Sequence, residues 1–103
     1  MRVRGGEVAD HTVQLILTDP PYSQAALPLW LDLSLLASRV LTPDGMLVAY
    51  TGAMYLPEVL DLLSMHLRYW WTGAVLLPGA HSRVHARQVS QCTKPLLFFV
   101  PKE

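Results

Sequence analysis

The chain has 103 residues, of which 51% are hydrophobic and 16% are charged, and its formal net charge is zero. This length allows one small domain or part of a larger one, and it excludes a two-domain enzyme. A soluble domain usually carries about 25% charged residues, so this chain has few charges to cover its surface. We therefore expect apolar surface that is covered by a partner or by the rest of a larger domain.

Several protein classes are excluded by the same sequence. No apolar run approaches the roughly 18 residues that a membrane span needs. The basic N-terminal residues are not followed by an apolar stretch, so no signal peptide is expected. The single cysteine, Cys92, excludes an internal disulfide and a multi-cysteine zinc site, and no neighbour activates it. These features predict a folded cytoplasmic protein without a membrane partner.

The zero net charge hides an uneven distribution of charged residues. The first 65 residues contain seven acidic and three basic residues, whereas the remainder contains one acidic and five basic residues. Within the remainder, residues 81–94 carry Arg83, Arg87 and Lys94 but no carboxylate. A solvated loop is the plain interpretation of such a cluster. A loop that faces an anionic partner is the alternative.

The first predicted element is a buried strand over Val13–Thr18, a short apolar run rich in β-formers. It ends at Asp19–Tyr22 because two consecutive prolines cannot continue a sheet ladder. A helix is predicted from Ala26 to Val40, with Pro28 in its first turn. Its apolar residues follow helical spacing and extend around much of the cylinder, so more than one neighbour is expected to cover it.

The rest of the chain repeats the strand and helix pattern. Leu41–Gly45 predicts a turn because its Pro and Gly stop a helix and reverse the chain. The elements that follow are a strand over Met46–Thr51, a helix from Pro57, a strand over Tyr69–Leu77, a polar basic loop from Pro78 and a strand over Leu96–Val100.

This order of elements predicts an α/β fold with a mostly parallel sheet. The last strand has no helix before it, so it is expected to run antiparallel to its neighbours. Four strands and two helices make about half of a doubly wound sheet, and such sheets carry helices on both faces. Part of the sheet is therefore expected to be bare, in agreement with the low charged fraction.

The motif that carries chemistry is Asp19-Pro20-Pro21-Tyr22, at the carboxyl end of the first strand, where open α/β sheets bind ligands. Leu15–Tyr22 resembles the catalytic motif of S-adenosylmethionine-dependent amino-methyltransferases of DNA, which methylate adenine N6 or cytosine N4. A Thr-Pro-Asp-Gly turn and a Lys94-Pro95 pair before an apolar strand follow in the family's order. The resemblance spans about residues 12–101, and only Asp-Pro-Pro-Tyr is highly specific.

The resemblance implies a partial Rossmann-like sheet that methylates a flipped DNA base, with adenine N6 as the first candidate. The exocyclic amine is a poor nucleophile because its lone pair is delocalised into the ring. The Asp19 side chain and the Pro20 carbonyl would accept its two N–H bonds, and the fixed φ of proline aims that carbonyl. Pro21 would stiffen the loop, and Tyr22 would stack on the base.

S-adenosylmethionine is the cofactor that the resemblance implies, with direct methyl transfer and no metal. Asp19 and the residues at the end of the second strand, Thr51 and Gly52, are the candidate cofactor contacts. The family's glycine-rich loop, Phe-x-Gly-x-Gly after a strand, is absent from this sequence. Residues 1–103 are therefore interpreted as a single partial catalytic domain, whose partner is the cofactor-binding half of the same fold. In some members of the family that half follows the catalytic motif.

Arg83, Arg87 and Lys94 are candidates for contact with DNA phosphates. His81 and His85 have the i, i+4 spacing of a metal pair, but they lack a third ligand and a helical pattern, so no metal site is predicted.

Consecutive strand residues face opposite sides of a sheet. Trp70 and Trp71 are therefore expected to place one ring in the core and one at the surface.

Other functions stay open at this stage. The motif can be a plain strand terminator, and the acceptor can be RNA or a protein glutamine, although glutamine-methylating relatives usually carry Asn where Asp19 stands. An inactive fragment that acts as an assembly partner is the alternative outside enzymology. Because an uncovered strand edge invites pairing, self-association into a homo-oligomer is expected. The leading interpretation is a DNA adenine methyltransferase of the restriction–modification type.

Overall fold

A computed structural model of the protein describes residues 8–76, 82–84, 89–91 and 93–102. The elements are β1 (Val13–Thr18), a 3₁₀ turn (Gln24–Ala26), α1 (Leu27–Val40), β2 (Leu41–Tyr50), α2 (Leu56–Ser64), β3 (Leu67–Leu76), β4 (Ser82–Val84), β5 (Val89–Gln91) and β6 (Thr93–Pro101). The predicted first strand is confirmed at both ends, and both predicted helices begin within one residue of the observed start.

Four strands form one mixed sheet in the order β1-β2-β6-β3. β1 pairs parallel with β2, and β6 runs antiparallel to both of its neighbours, β2 and β3. The predicted α/β fold with an antiparallel last strand is therefore confirmed. Since β6 lies inside the sheet, its first residues come next to the carboxyl end of β2, where the Thr51 amide donates to the Pro95 carbonyl at 3.1 Å.

The predicted turn at Leu41–Gly45 lies inside β2. Val13 pairs with Leu41 and Leu15 pairs with Met46, so four residues of β2 stand opposite one residue of β1. A side chain at Gly45 would place its Cβ 3.0 Å from the Val13 carbonyl oxygen. The turn sequence is thus accommodated as an irregularity of the strand, and the predicted start of this strand at Met46 is five residues too late.

Both helices pack on one face of the sheet. The buried core is formed by residues of α1, α2, β2, β3 and β6: Trp30, Leu33, Ala37, Leu41, Leu47, Ala49, Val59, Leu63, Leu67, Leu97 and Phe99. A buried hydroxyl lies between the helices, because Ser34 Oγ donates to the Leu63 carbonyl at 2.8 Å and accepts from the His66 amide at 3.2 Å. This bond ties α1 to the end of α2 and fixes the layer that supports the sheet.

The opposite face of the sheet carries large exposed apolar side chains. Leu17 pairs with Val48, Val48 with Phe98, and Phe98 with Trp71, so these residues form a row across the four strands. Leu17 is 62% exposed and Trp71 is 64% exposed. We call the row and the neighbouring exposed Leu15 and Trp70 the bare face.

The expectation that one of the paired tryptophans lies in the core is wrong, since both rings are exposed. The register shifts between Tyr69 and Trp71, which disrupts the alternation of side chains along β3. The Tyr69 ring contacts buried Phe99, whereas the Trp70 ring contacts Phe98.

The predicted basic loop holds two short antiparallel strands, β4 and β5, in which Arg83 pairs with Ser90. Pro78, Gly79 and the two histidines of the candidate metal pair lie outside the described residues. Among the residues that are described, no helix has the length and apolar character needed to cross a membrane.

Candidate functional site

The candidate site lies where three strand ends meet. Asp19–Tyr22 follow β1, and Thr51 and Gly52 follow β2, which runs parallel to β1. Lys94 is the second residue of β6, which begins at the same edge because it runs antiparallel to β2. The fold therefore brings together residues that are 75 positions apart in the chain.

Asp19 has a partner on each carboxylate oxygen. The Tyr22 hydroxyl donates to Oδ1, and the Lys94 ammonium donates to Oδ2 at 3.1 Å. Partial burial raises the pKa of Asp19, but the hydrogen bonds from Tyr22 and Lys94 and the Lys94 charge outweigh it and lower that pKa below its ordinary value. With its side chain 52% exposed, Asp19 is an ionised acceptor at an open edge.

The Lys94 ammonium lies close to two tyrosine rings, 4.8 Å from the centroid of Tyr22 and 5.0 Å from that of Tyr50. Both distances are typical of cation–π contacts. Hydrogen bonding to Tyr22 and Asp19 raises the pKa of Lys94 despite its partial burial. Partial burial and the bond to Asp19 raise the pKa of Tyr22. At neutral pH, Asp19 is therefore ionised, Lys94 is protonated and the Tyr22 hydroxyl is neutral.

Tyr50 is a site residue that the sequence did not single out. It is the last residue of β2, directly before Thr51, and this position at a carboxyl end is the signal that could have identified it.

Thr51 and Gly52 lie at the site but in different roles. Thr51 is buried, and its hydroxyl donates to the Gly52 carbonyl at 3.2 Å, so its polar atoms are engaged within the protein. Gly52 lies beside the ring of Tyr22, since a Cβ built on it would be 3.4 Å from Tyr22 Cβ and Cδ2. A role for either residue in holding a cofactor stays a prediction.

The remaining candidate residues are divided. Pro20 is buried and Pro21 is exposed, and their roles in aiming a carbonyl and stiffening the loop stay predictions. Arg87 lies outside the described residues, and the side chain of Arg83 is also not described, so their contact with DNA stays a prediction. Across the described ranges, no group of three His, Cys, Asp or Glu residues is arranged to hold a metal ion.

This arrangement has defined chemical capabilities. The Asp19 carboxylate can accept a hydrogen bond from an amine N–H, and the Tyr22 and Tyr50 rings can contact a planar or cationic group. Lys94 supplies a positive charge beside the acceptor. The site can therefore accept a hydrogen bond from an N–H donor at Asp19, beside two aromatic rings.

No protein-family model and no curated protein matches this sequence. Solved structures do match it. The PvuII DNA methyltransferase, described as cytosine-N4-specific, has a TM-score of 0.79 at 16% identity over 96% of this chain and 46% of its own. TTHA0409 from Thermus thermophilus, which carries the provisional name DNA modification methylase, has a TM-score of 0.74 at 14% identity over 96% and 49%.

A third structure, the complex of M1.HpyAVI with S-adenosylmethionine, has a TM-score of 0.67 at 21% identity over 88% of this chain and 45% of its own. TTHA0409 is also complexed with S-adenosylmethionine. The chain thus has the α/β fold of a methyltransferase. The solved structures that share this fold include a DNA methyltransferase and a predicted O-methyltransferase. The chain spans about half of the length of the three structures described above.

Proposed function

We propose that this chain is the catalytic portion of an S-adenosylmethionine-dependent methyltransferase that acts on the exocyclic amine of a flipped DNA base, with adenine N6 as the first candidate. The observation that carries the proposal is the exposed Asp19 carboxylate in Asp-Pro-Pro-Tyr, at the carboxyl end of β1. The likeness to DNA methyltransferases supports DNA as the partner. Because one of these is described as cytosine-N4-specific, cytosine is the second candidate base.

The chain's residues make the amine more reactive by accepting hydrogen bonds from its two N–H groups. A hydrogen bond from one N–H to Asp19 and one from the other to the Pro20 carbonyl favour a more tetrahedral nitrogen, whose lone pair is available. The Tyr22 ring stacks on the base once the base has left the duplex. When bound, S-adenosylmethionine would supply a methyl group from its positively charged sulfonium, which becomes a neutral thioether, and the methylated amine would release one N–H proton to solvent.

The residues described at this edge fit only part of that cofactor. The Asp19 carboxylate complements a positive charge, and Gly52 leaves the space beside Tyr22 free of a side chain. The sequence, however, contains no strand followed by Phe-x-Gly-x-Gly. The proposal therefore includes a second polypeptide segment that supplies the glycine-rich half of the site.

The bare face is the surface that we assign to this second segment. Its exposed leucines and tryptophans line one side of the sheet, and β1 lies at the end of the described strand order. Apolar surface of this kind is favourable to bury. The matching structures are about twice as long as this chain, so a segment equivalent to the rest of their fold has the right size to cover this face.

The test is methyl transfer from labelled S-adenosylmethionine, with DNA, RNA and protein as parallel acceptors. The chain is assayed together with the polypeptides that co-purify with it from its own host, and labelled DNA is digested to nucleosides. We expect label in N6-methyladenine, and we expect Asp19→Ala to abolish it without changing the circular dichroism spectrum.

Label in N4-methylcytosine would move the proposal to the second base, and label in RNA or glutamine would overturn the DNA assignment. The absence of the glycine-rich segment favours one further candidate, an assembly partner without its own activity. Equal transfer by an associated enzyme with wild-type and Asp19→Ala chains would support this role and contradict ours.

A further inference from the structure

The cation beside Asp19 is held more firmly than an ordinary surface lysine. Lys94 is 26% exposed, and its ammonium contacts a carboxylate and the faces of two tyrosine rings. Its backbone is fixed by pairing with Val75 on one side. The carbonyl of the next residue, Pro95, accepts a hydrogen bond from the Thr51 amide on the other. A lysine in an exposed ion pair usually contributes little to stability, because ordering its long side chain costs entropy. For Lys94, the pairing of β6 in the sheet and the two tyrosine rings provide much of that ordering.

The two partners of Asp19 differ in kind. Lys94 is charged and binds Oδ2, whereas the Tyr22 hydroxyl is neutral and binds Oδ1. Both bonds end on an ionised carboxylate and are charge-assisted, but only the bond from Lys94 adds the attraction between two opposite charges. An incoming amine N–H can therefore replace the Tyr22 hydroxyl on Oδ1, one neutral donor for another, while Oδ2 stays bound to Lys94.

We propose that Lys94 is a positioning residue that anchors one oxygen of Asp19 and presents the other oxygen to the amine. This inference rests on the proposed function, in which Asp19 is the acceptor. The Tyr22 hydroxyl then occupies the acceptor oxygen until the amine enters.

The charged and titratable groups around Asp19 are few in the described residues. Tyr22 faces it from the loop after β1 and Lys94 from β6, while Tyr50 of β2 faces the Lys94 ammonium. The positive charge that Asp19 contacts in the described ranges is that of Lys94. Replacing Lys94 with a neutral residue therefore removes both the anchor of Oδ2 and the charge that favours the ionised form.

The experiment is a ¹³C NMR titration of the Asp19 carboxyl carbon, which requires neither methyl donor nor transfer. In Lys94→Met, we expect the pKa of Asp19 to rise, because the Lys94 hydrogen bond and charge that lower it are lost. Lys94→Arg should restore it, because the positive charge is kept. Lys102→Met is the matched control, since the Lys102 ammonium donates to the Met65 carbonyl, and this variant should leave the pKa of Asp19 unchanged.

A second measurement uses the wild-type chain and so does not depend on whether a variant folds. The ¹⁵N shift of the Lys94 ammonium should show an inflection at the pH where Asp19 titrates. An unchanged pKa of Asp19 in folded Lys94→Met, or a Lys94 shift that ignores the titration of Asp19, would overturn the pairing.

The positioning role itself is tested by the pH profile of kcat/KM in the methyl-transfer assay. Lys94→Met should move the acid limb to higher pH, and Lys94→Arg should return it. A shifted pKa of Asp19 with an unmoved acid limb would reject the positioning role. If wild type transfers no methyl group, the proposed function fails while the NMR result still decides whether Lys94 anchors Asp19.

Discussion

The ammonium of Lys94 lies 3.1 Å from the carboxylate of Asp19, although 75 positions separate the two residues in the chain. One residue follows β1 and the other begins β6, and these strands are not neighbours in the sheet, since β2 lies between them. The ion pair therefore reaches across the edge of β2. It forms only when β6 has paired with β2, so the candidate site exists only in the completed sheet.

We predict that Asp19 contributes to stability at neutral pH and that this contribution disappears in acid. The pKa of Asp19 is lowered in the folded chain, so the stabilisation is present above the unfolded-state pKa and is lost as pH falls through the folded value. The free energy of unfolding in urea should therefore differ between wild type and Asp19→Asn at pH 7, and the difference should shrink on acidification.

Asp61→Asn, on the exposed side of α2, is the control for this comparison. The raised pKa values of Tyr22 and Lys94 predict a loss of stability at alkaline pH. Their contribution to the free energy of unfolding is lost as pH rises through their pKa values in the folded chain. A gap between wild type and Asp19→Asn that stays constant into acid would contradict the role of the ionised carboxylate.

Ser34→Ala is predicted to destabilise the chain by about 1–3 kcal/mol, because it leaves a buried carbonyl and a backbone amide without their partner. The buried Ser34 hydroxyl bonds both the Leu63 carbonyl and the His66 amide. Ser38→Ala on the same helix is the matched control, since the exposed Ser38 hydroxyl donates only to Leu35 within its own turn. Urea unfolding monitored by circular dichroism measures the stability of both variants. Equal midpoints for Ser34→Ala and Ser38→Ala would contradict this prediction.

The elements that local sequence defines were predictable. Val13–Thr18 is apolar and stops at two prolines, and the apolar spacing of α1 is set within the helix itself. The start of β2 was not predictable, because Leu41 pairs with Val13 across an irregularity that local turn residues do not reveal. The same reason applies to Trp70, whose orientation follows from a register shift against β6.

The candidate site also contains residues that a local motif predicts and residues that depend on the strand order. Asp19 and Tyr22 are three positions apart, and a motif at a strand end was enough to find them. The charge of Lys94 predicts contact with DNA phosphate, which stays a prediction, but it does not predict the pairing with Asp19 that the structure shows. This pairing depends on β6 lying between β2 and β3, and strand order is a long-range property that the local sequence around Lys94 does not contain.

Gly45→Ala is predicted to cost about 1–3 kcal/mol, the usual range for forcing an extra carbon into a packed position. Its Cβ would lie 3.0 Å from the carbonyl oxygens of Val13 and Thr42, which are backbone atoms and cannot move aside cheaply. Gly73→Ala is the matched control in β3, because the nearest atom to its Cβ is Phe98 Cε1 at 3.4 Å.

The midpoint of urea unfolding should fall for Gly45→Ala with an unchanged slope, and Gly73→Ala should stay near or above wild type. Equal midpoints for the two alanine variants would show that the strand irregularity at Gly45 relaxes freely.

The bare face leads to the last prediction, that the chain by itself self-associates and that a charge on this face reduces the association. Leu17 is 62% exposed and lies in the apolar row across the sheet, on the strand at the end of the described order. Leu17→Lys places a charge where two chains would bury apolar surface, and lysine on an edge strand opposes pairing. Leu35→Lys is the matched control, since Leu35 is 55% exposed but lies on α1.

Sedimentation velocity at increasing concentration should show wild type and Leu35→Lys associating, while Leu17→Lys shifts toward the monomer. Because the second segment of the proposed enzyme would occupy the same face, its addition should compete with self-association of the wild-type chain. A wild-type chain that stays monomeric at high concentration would contradict the prediction that the apolar side chains of the bare face drive association. The second segment would then have to bind through the strand edge of β1.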